Sequence, residues 1–284
     1  MAIPSIRDAL RVPPSRDGTI DLGRYPSDDT PLAPGKKGKT LERAADEGAE
    51  IGELQGRLYA QGTTGDPRRI LLVLQGMDTA GKGGTVAHVV SAVGPEGCRI
   101  AAFKRPTPEE LAHHFLWRIR KELPAPGIVG VFDRSHYEDV LVVKVHGTID
   151  DAECARRYDE INAFERELVE SGTTLVKCWL NISYDEQRER LLARLDEPEK
   201  HWKFNEADID ERRKWGQYQD AYAAALAHTS TEQAPWYAVP SDHKWYRNWA
   251  VAGLLLETLR GMDLTYPDPS LDVPRLKERL RPPN

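Results

Sequence analysis

The sequence predicts an α/β fold in which helices cover both faces of a parallel sheet. Residues 68–75, RRILLVLQ, form a continuous apolar run of strand length. Such a run is typical of a strand that is buried on both faces of a parallel sheet. Further apolar runs alternate with segments of helical periodicity, and this alternation indicates parallel strands joined by helices.

The expected elements follow one another in a regular order. Leu41, Ile51 and Leu58 fit the apolar stripe of an amphipathic helix over 39–62. After this helix we expect a strand at 68–75, a helix at 83–93, a strand at 98–103, a helix at 107–122, a strand at 127–132, a helix at 151–171, a strand at 173–181, a helix at 184–196, a short strand at 236–239 and a helix at 244–261.

Composition indicates how the chain is divided. Residues 1–38 are rich in Pro, Gly, Asp and Lys, and we interpret them as an extended N-terminal arm. Residues 39–266 are expected to form one large domain, with the highly charged segment at about 197–230 as a helical lid. Residues 267–284 are interpreted as a C-terminal tail.

Bulk properties argue against several classes of function. The chain has 284 residues and a net charge of −6, which provides no overall attraction for nucleic acid. Its three cysteines are far apart and form no CxxC pair, so we expect neither a disulfide framework nor a zinc site. This use of cysteine is typical of a reducing compartment, and we therefore expect a cytoplasmic location. No stretch approaches the length of apolar sequence that spans a membrane.

A phosphate-binding loop connects the first predicted strand to the next helix. The segment contains Gly76-x-x-x-x-Gly81-Lys82, the Walker A pattern. Glycines let the backbone turn its N–H groups inward around phosphate oxygens, and the helix adds its positive end. Lys82 supplies a mobile full charge. The other loop residues expected to contact phosphate are Met77, Thr79, Ala80, Gly83, Gly84 and Thr85.

Two positions in this loop concern a metal ion. Gly83 stands where a Ser or Thr usually supplies a magnesium-binding hydroxyl, and Thr85 follows two residues later. Asp78 places a negative carboxylate in a loop that binds negative phosphate groups. Because these like charges repel each other, a cation is needed between them. We expect Asp78 to bind Mg²⁺ directly or through water. The alternative is that Asp78 only caps a turn with its side chain.

A second acidic residue ends the apolar run at 127–132. Asp133 follows this strand in the manner of a Walker B motif, at the sheet edge where ligands of α/β proteins bind. We expect it to be a second metal-associated carboxylate or to orient the acceptor phosphate. Arg134 can stabilise charge on a transferring phosphoryl group. Glu138 lies four residues after Arg134, and its alternative role is an ordinary ion pair with that arginine.

Five long segments of the chain are particular in sequence: QGMDTAGKGGT (75–85), FKRPTPEELAHHFLWR (103–118), FDRSHYEDVLVVKVH (132–146), EPEKHWKF (197–204) and APWYAVPSDHKWYRNWAV (234–251). In these segments the chain resembles the polyphosphate kinase 2 family. The resemblance runs from about residue 10 to residue 266 and implies a three-layer P-loop kinase fold with a helical lid. It also implies phosphoryl transfer between inorganic polyphosphate and a nucleotide, with Mg²⁺, in a homo-oligomer that is a dimer or a tetramer.

The resemblance also assigns roles to individual residues. The residues that line the family's reaction centre fall on Asp78, Lys82, Asp133 and Arg134, and the glutamate tied to acceptor handling falls on Glu138. The SHYEDVL segment looks like the branch that acts on both nucleoside mono- and diphosphates. AMP and ADP are therefore the expected acceptors, and ATP is the expected product. The net charge and the lack of a long apolar run make neither nucleic acid nor membrane an expected partner.

Polyphosphate is a polyanion and needs a series of cations along its path. Lys104 and Arg105 follow a predicted strand at the edge where ligands collect. Further candidates lie on the helix at 184–196 and in the lid, and for each one the alternative is a solvated surface charge. These candidates are Arg190, Arg194, Lys203 and Arg212.

Two other functions stay open on the residues alone. One is a conventional ATP-dependent kinase of a small molecule, and the other is a non-catalytic module that binds polyphosphate or nucleotide. Base preference, chain-length preference and the favoured direction do not follow from the sequence. Production of ATP from ADP and polyphosphate by the purified protein separates all three functions.

Overall fold

The computed structural model describes residues 5–281 and contains one six-stranded sheet flanked by helices. The strands are β1 (Arg11–Val12), β2 (Arg69–Gln75), β3 (Cys98–Ala102), β4 (Val129–Asp133), β5 (Thr173–Asn181) and β6 (Trp236–Pro240). They lie in the order β1-β6-β5-β2-β4-β3, and all neighbours are parallel except β1 and β6. The predicted three-layer α/β fold is confirmed.

Helices connect and cover these strands. They are α1 (Ile6–Leu10), α2 (Lys37–Gly62), α3 (Lys82–Ala92), α4 (Pro108–Leu111), α5 (Trp117–Lys121), α6 (Glu138–Val145), α7 (Asp151–Glu170), α8 (Tyr184–Asp196), α9 (Ala207–Arg213), α10 (Trp215–Thr229), α11 (Lys244–Arg260) and α12 (Val273–Arg279). Short 3-10 helices occur at Leu22–Arg24, Pro95–Gly97 and Pro198–Lys203.

The central strand β2 determines where a ligand can bind. Residues 70–75 of this strand are buried, as its continuous apolar sequence predicts. It pairs with β4 on one side and β5 on the other, and Leu74 lies opposite Asp133. The loop after β2 and the end of β4 therefore meet at the same edge of the sheet.

The long helices begin at local caps and pack through their apolar faces. Ser183 caps α8 by accepting the N–H of Glu186 at 3.1 Å, and Asp150 caps α7 by accepting that of Glu153 at 2.8 Å. Helix α11 packs against α2 and α3, and most of its residues are buried. This packing brings the C-terminal part of the chain to the back of the helix that follows the phosphate-binding loop.

The prediction of one helix over 107–122 is wrong in its extent. A capping box at Thr107 starts α4, which ends at Leu111, and α5 begins only at Trp117. Between them, His114 Nδ1 accepts the N–H of Leu116 at 3.3 Å. Side-chain acceptors of this kind compete with helical hydrogen bonds and interrupt a helix.

Helix α6 lies in a segment for which the sequence predicted no element. Its sequence, EDVLVVKV, is rich in β-branched residues, which favour strands in isolation. Val140 and Leu141 are buried, and α10 packs against this helix. Tertiary packing therefore outweighs the local preference.

The N-terminal arm is more structured than an extended segment. Ile6–Leu10 is helical, and Arg11 and Val12 pair antiparallel with Tyr237 and Trp236 of β6. The carboxylate of Glu257 accepts the backbone N–H of Ile6 at 2.9 Å. The arm thus adds an edge strand, and the sheet is mixed instead of wholly parallel.

The segment predicted as a lid has two parts that differ in burial. Its first part carries the 3-10 helix and α9, is largely exposed, and contains Trp202 with 78% of its surface exposed. Its second part is α10, which buries Tyr222 and Leu226 and packs against α6 and α7. The division at about 197–230 stays a prediction. Within residues 5–281, no helix is long and apolar enough to cross a membrane.

Candidate active site

A cavity of about 730 Å³ lies at the carboxyl ends of β2, β3 and β4. Its lining comes from the glycine-rich loop after β2, residues 103–106 after β3, single residues of α4 and α5, the region from Arg134 through α6 to Thr148, and residues of α8, α9 and α10. The predicted site residues on this lining are Gly76, Met77, Asp78, Lys104, Arg105, Arg134 and Glu138. The structure therefore brings the loop, the strand-end arginine and two of the predicted cations together.

The glycine-rich loop has the backbone geometry of an anion site. Thr79 and Gly81 have left-handed backbone angles, with φ of 64° and 105°. The backbone N–H groups of Asp78, Thr79 and Gly81 meet no acceptor within the described residues. The N–H of Ala80 is used within the loop, by the carbonyl oxygen of Met77 at 3.1 Å. Free amides in such a turn form a concavity that binds phosphate oxygens. This geometry is what the Walker A pattern predicts.

Lys82 lies beneath the loop and is almost completely buried. Its Nζ donates to the carbonyl oxygen of Gly76 at 2.6 Å and to that of Met77 at 3.2 Å. Burial lowers the pKa of Lys82, the nearby charge of Arg134 lowers it further, and Asp78 opposes both effects. The ammonium group is held by two carbonyls of the loop, and Lys82 is not among the residues that line the cavity, so its contact with a phosphate stays a prediction.

Arg190 braces the loop from behind and does not line the cavity. One Nη donates to the carbonyl oxygens of Thr79 at 2.9 Å and Ala80 at 3.2 Å, and the other donates to that of Ser241 at 2.6 Å. Its Nε pairs with Glu186 at 2.7 Å. All these donors are used within the protein, so the structure does not bring Arg190 to the place of direct phosphate contact that the sequence suggested.

The first turn of α3 carries the remaining loop residues. Gly83 and Gly84 are exposed at its start, whereas Thr85 is buried. The Thr85 hydroxyl donates to the carbonyl oxygen of Gly81 at 3.2 Å. Because this hydroxyl is directed back into the loop, it does not replace the missing Walker A hydroxyl at position 83.

Arg134 connects the carboxylates of the site. It has a left-handed φ of 65°, and its N–H donates to the carbonyl oxygen of Leu74 at 3.0 Å. Its guanidinium lies 3.4 Å from Asp78 and 3.8 Å from Glu138. Burial lowers the pKa of the Arg134 guanidinium, but the negative charges of Glu138 and Asp78 outweigh this effect, so the net shift of the pKa is upward. A permanent positive charge therefore faces the loop.

Asp133 is suited to hold a metal ion. Its Oδ1 is buried and has no hydrogen-bond partner among the described residues. In residues 5–281, no three or more His, Cys, Asp or Glu side chains cluster as a complete metal site. Mg²⁺ in phosphoryl-transfer enzymes is commonly held by one or two carboxylates and the substrate phosphates. Asp133 and Asp78 fit that kind of site.

Glu138 is the first residue of α6 and faces the cavity. Burial raises the pKa of Glu138, and the charges of Arg134 and Lys82 partly oppose this increase. With its amide oriented to satisfy both neighbours, Gln75 donates to Glu138 at 3.0 Å and accepts from Ser135 at 3.0 Å. The carboxylate is thus fixed at the mouth of the site by an amide and an arginine.

The other predicted cations lie on the side of the exposed 3-10 helix and α9. Arg194 donates to the carbonyl oxygen of Lys203 at 3.1 Å and to Asp208 at 3.3 Å. Arg212 donates to the carbonyl oxygen of Tyr184 at 2.6 Å. Arg194, Lys203 and Arg212 do not line the cavity, and their contact with a phosphate chain stays a prediction.

One buried ion pair in the cavity wall was missed from the sequence. Arg118 donates to Asp139 at 3.1 Å and to the carbonyl oxygen of Lys104 at 2.9 Å. It thereby ties the end of β3 to α6. Both residues stand in segments that carry the family resemblance, and this resemblance was the feature of the sequence that could have pointed to them.

A second missed cluster supports the turn that carries Arg134. Glu165 accepts from Lys177 at 2.6 Å and from the hydroxyl of Tyr137 at 2.8 Å, and its Oε1 lies 3.3 Å from His136 Nε2. We call these four residues the Glu165 cluster. No sequence pattern indicated it, because Lys177 interrupts an apolar strand and Glu165 lies on a helix rich in acidic residues.

Arg247 of α11 is the third missed residue. It is 3% exposed, and its Nη1 donates to the carbonyl oxygen of Ala80 at 2.9 Å. Burial lowers the pKa of Arg247 to about 10, and the charge of Arg190 contributes. Its segment was quoted for the resemblance, but nothing in the sequence indicated that this side chain reaches the phosphate-binding loop.

The fold and the site together define a P-loop kinase. An amide-lined loop follows the central strand, a lysine lies beneath it, and an aspartate ends the neighbouring strand. The chain belongs to the polyphosphate kinase 2 family, since the family model named Polyphosphate kinase 2 matches residues 36–267.

Individual relatives agree with this family. The AMP/ADP-polyphosphate phosphotransferase of Meiothermus ruber is 47% identical over 253 residues, which cover 89% of this chain and 93% of the relative. The ADP-polyphosphate phosphotransferase of Rhodopseudomonas palustris is 41% identical over 261 residues, 88% of this chain and 89% of the relative. The crystal structure of polyphosphate kinase 2 from Arthrobacter aurescens TC1 superposes with a TM-score of 0.94 at 50% identity, covering 98% of this chain and 96% of that chain.

Proposed function

We propose that this protein transfers a phosphoryl group between inorganic polyphosphate and AMP or ADP, with Mg²⁺ as cofactor and ATP as the final product. The observation that carries the proposal is one cavity that is lined by Gly76, Met77 and Asp78 of the loop together with Arg134, whose guanidinium lies 3.4 Å from the Asp78 carboxylate. Such a cavity favours phosphate chains over neutral substrates. The names of the relatives supply the two substrate classes.

The reaction proceeds by direct in-line transfer without a covalent intermediate. The loop amides and Lys82 hold one phosphate chain. Arg134 offsets negative charge on the transferring phosphoryl group. Glu138 holds a water molecule or a metal ion in the gap that a monophosphate acceptor leaves. Phosphoryl transfer needs little covalent chemistry from the protein, because positioning and electrostatic stabilisation supply most of the rate.

Asp78 and Asp133 are the residues that would hold Mg²⁺. The orphaned Oδ1 of Asp133 and the placement of the Asp78 carboxylate among anion-binding amides support this assignment. The bound ion would neutralise charge between donor and acceptor oxygens. Arg134 keeps Asp78 oriented across the cavity through the 3.4 Å contact.

The path of polyphosphate beyond the reaction centre runs over two sets of cations. Lys104 and Arg105 stand on the cavity wall after β3. Arg194 of α8 belongs to the opposite side, as do Lys203 and Arg212 of the lid. We propose that the lid at about 197–230 brings Lys203 and Arg212 to the polyphosphate chain when it closes. We also expect a cytoplasmic enzyme that forms a dimer or a tetramer.

The test is ATP production by the purified protein. ADP, polyphosphate and Mg²⁺ are mixed with the enzyme, and ATP is measured by luminescence. AMP replaces ADP in a parallel reaction. The variant K82A shows whether turnover depends on the loop, and K39A, a substitution of an exposed lysine, is its control. Absence of ATP from both acceptors in the wild type would contradict the proposal, and phosphorylation of a small molecule by ATP would indicate the conventional kinase instead.

A further inference from the structure

The phosphate-binding loop is held from outside through its carbonyl groups. Gln187 donates to the carbonyl oxygen of Asp78 at 3.1 Å, and Lys82 and Arg190 hold other carbonyls of the loop. A peptide whose carbonyl points outward presents its next N–H inward. The side chains that hold these carbonyls therefore fix the orientation of the peptides in the loop.

Arg247 contributes to this arrangement from the C-terminal helix α11. We propose that Arg247 is a positioning residue for phosphoryl transfer: it holds the Ala80 carbonyl away from the cavity and places an unneutralised positive charge directly behind the anion-binding amides. The proposal deepens the proposed function and rests on it, because the anion concerned is the phosphate chain in the loop.

The contact between Arg247 and the loop is very close. A Cβ atom added to Gly81 would lie 1.8 Å from Arg247 Nη1, and one added to Gly84 would lie 3.2 Å from Nη2. Gly81 is therefore required for two reasons, its φ of 105° and the space that the guanidinium occupies. Arg247 packs against the backbone of the loop itself.

The charge of Arg247 has no carboxylate partner among the described residues. Its Nε and Nη2 donate to the Asn248 amide oxygen at 3.2 and 2.9 Å, and Nη1 donates to Ala80. By contrast, Arg190 pairs with Glu186. Burial without a counter-ion is unfavourable for a guanidinium. A bound polyanion on the other side of the loop supplies the missing negative charge.

Asn248 allows the charge to be tested without removing Arg247. The substitution N248D keeps an oxygen acceptor of the same size and adds a carboxylate beside the guanidinium. With a distance of about 10 Å to the phosphate and an effective dielectric constant of about 40, the added charge weakens anion binding about fourfold. The new ion pair leaves the melting temperature unchanged or higher. A residue with only a structural role would not lower phosphate affinity in a variant of undiminished stability.

The experiment measures binding of inorganic tripolyphosphate by calorimetry, together with melting temperature and kcat/KM for polyphosphate. R247M removes both the charge and the carbonyl contact, and we expect its affinity to fall at least tenfold. R260Q is the matched control, because it changes the net charge of the protein by the same amount as N248D. Arg260 is exposed at the end of α11, where it pairs with Glu50 of α2. We expect R260Q to bind tripolyphosphate as the wild type does. If R247M does not fold, N248D alone decides.

The outcomes separate this inference from the proposed function. Unchanged tripolyphosphate affinity in N248D, in an enzyme that makes ATP from polyphosphate, overturns the role of Arg247 and leaves the function intact. Weakened affinity in N248D, in a protein that makes no ATP, supports the effect of the Arg247 charge on anion binding at the loop but overturns the proposed function and with it the role in phosphoryl transfer. A wild-type protein that does not bind tripolyphosphate contradicts both.

Discussion

The ion pair of Glu165 and Lys177 lies wholly inside the protein, beneath the connection from β4 to α6. The two side chains are 2% and 0% exposed, and their charged atoms are 2.6 Å apart. Lys177 also donates to the carbonyl oxygen of Thr229 at 2.8 Å. Removing one partner of such a pair leaves a buried charge without compensation, which costs about 3–5 kcal/mol.

We therefore expect E165Q to lower the free energy of unfolding by about 3–5 kcal/mol and the melting temperature by about 10 °C. Chemical and thermal unfolding followed by circular dichroism measure both. E167Q, two residues further along the same helix, is the control: Glu167 pairs with Arg120 but is 58% exposed, so its loss costs less than about 1 kcal/mol. The double variant E165Q/K177M removes the isolated charge and recovers part of the lost stability.

The loss in E165Q also depends on pH. Burial lowers the pKa of Lys177, and Glu165 opposes that effect, so the substitution lowers the pKa further. A buried lysine with a lowered pKa destabilises the folded state at pH values below its unfolded pKa, and the penalty shrinks as pH rises towards that value. The difference between E165Q and wild type should be smaller at pH 9 than at pH 7. A loss below about 1 kcal/mol that is the same at both pH values would refute the reasoning.

Other predictions concern the reaction itself. K82A should remove most turnover, and its melting temperature should fall as well, because Lys82 is buried and donates to the carbonyls of Gly76 and Met77. D78N should lower turnover with only partial rescue by high Mg²⁺. Near-normal rates in both variants would exclude the loop as the reaction site. Polyphosphate KM should rise steeply with salt, by analogy with counterion release, and R194A or K203A should flatten that dependence; an affinity that does not change with salt would contradict the cationic path. E138A should lower the rate with AMP more than with ADP, because a monophosphate leaves a gap in the cationic site that Glu138 can fill with water or metal; equal losses would reduce Glu138 to a partner of Arg134. Burial raises the pKa of Glu138, so activity with AMP should fall on acidification before activity with ADP does, and coincident pH profiles would contradict this role.

The sequence was most informative where one physical requirement dominates. A continuous apolar run predicted the central strand, and the glycine-rich segment predicted a loop whose amides are free to bind an anion. Asp133 could be predicted at the same edge because parallel strands that neighbour each other end together. These features depend on backbone geometry and burial, and both can be predicted from a short stretch of sequence.

Side chains that act over long separations could not be predicted in the same way. Arg190 looked like a phosphate ligand on one helix face, but its donors are used by carbonyls of the loop. Arg247 reaches the loop only because α11 packs on α3. Glu165 and Lys177 meet across a helix and a strand. The partners of each residue are set by tertiary packing, and charge alone does not reveal them.

The pairing of β1 with β6 has a consequence for the order of folding. Arg11 is synthesised before the five other strands of the sheet, whereas its partner Tyr237 belongs to the last of them. Until then the first residues have no edge to join, and the carboxylate of Glu257 that holds Ile6 is also missing. Contacts of such large sequence separation form slowly and late. The last strand of the nascent sheet stays open to pairing with other chains until the N-terminal strand seals its edge.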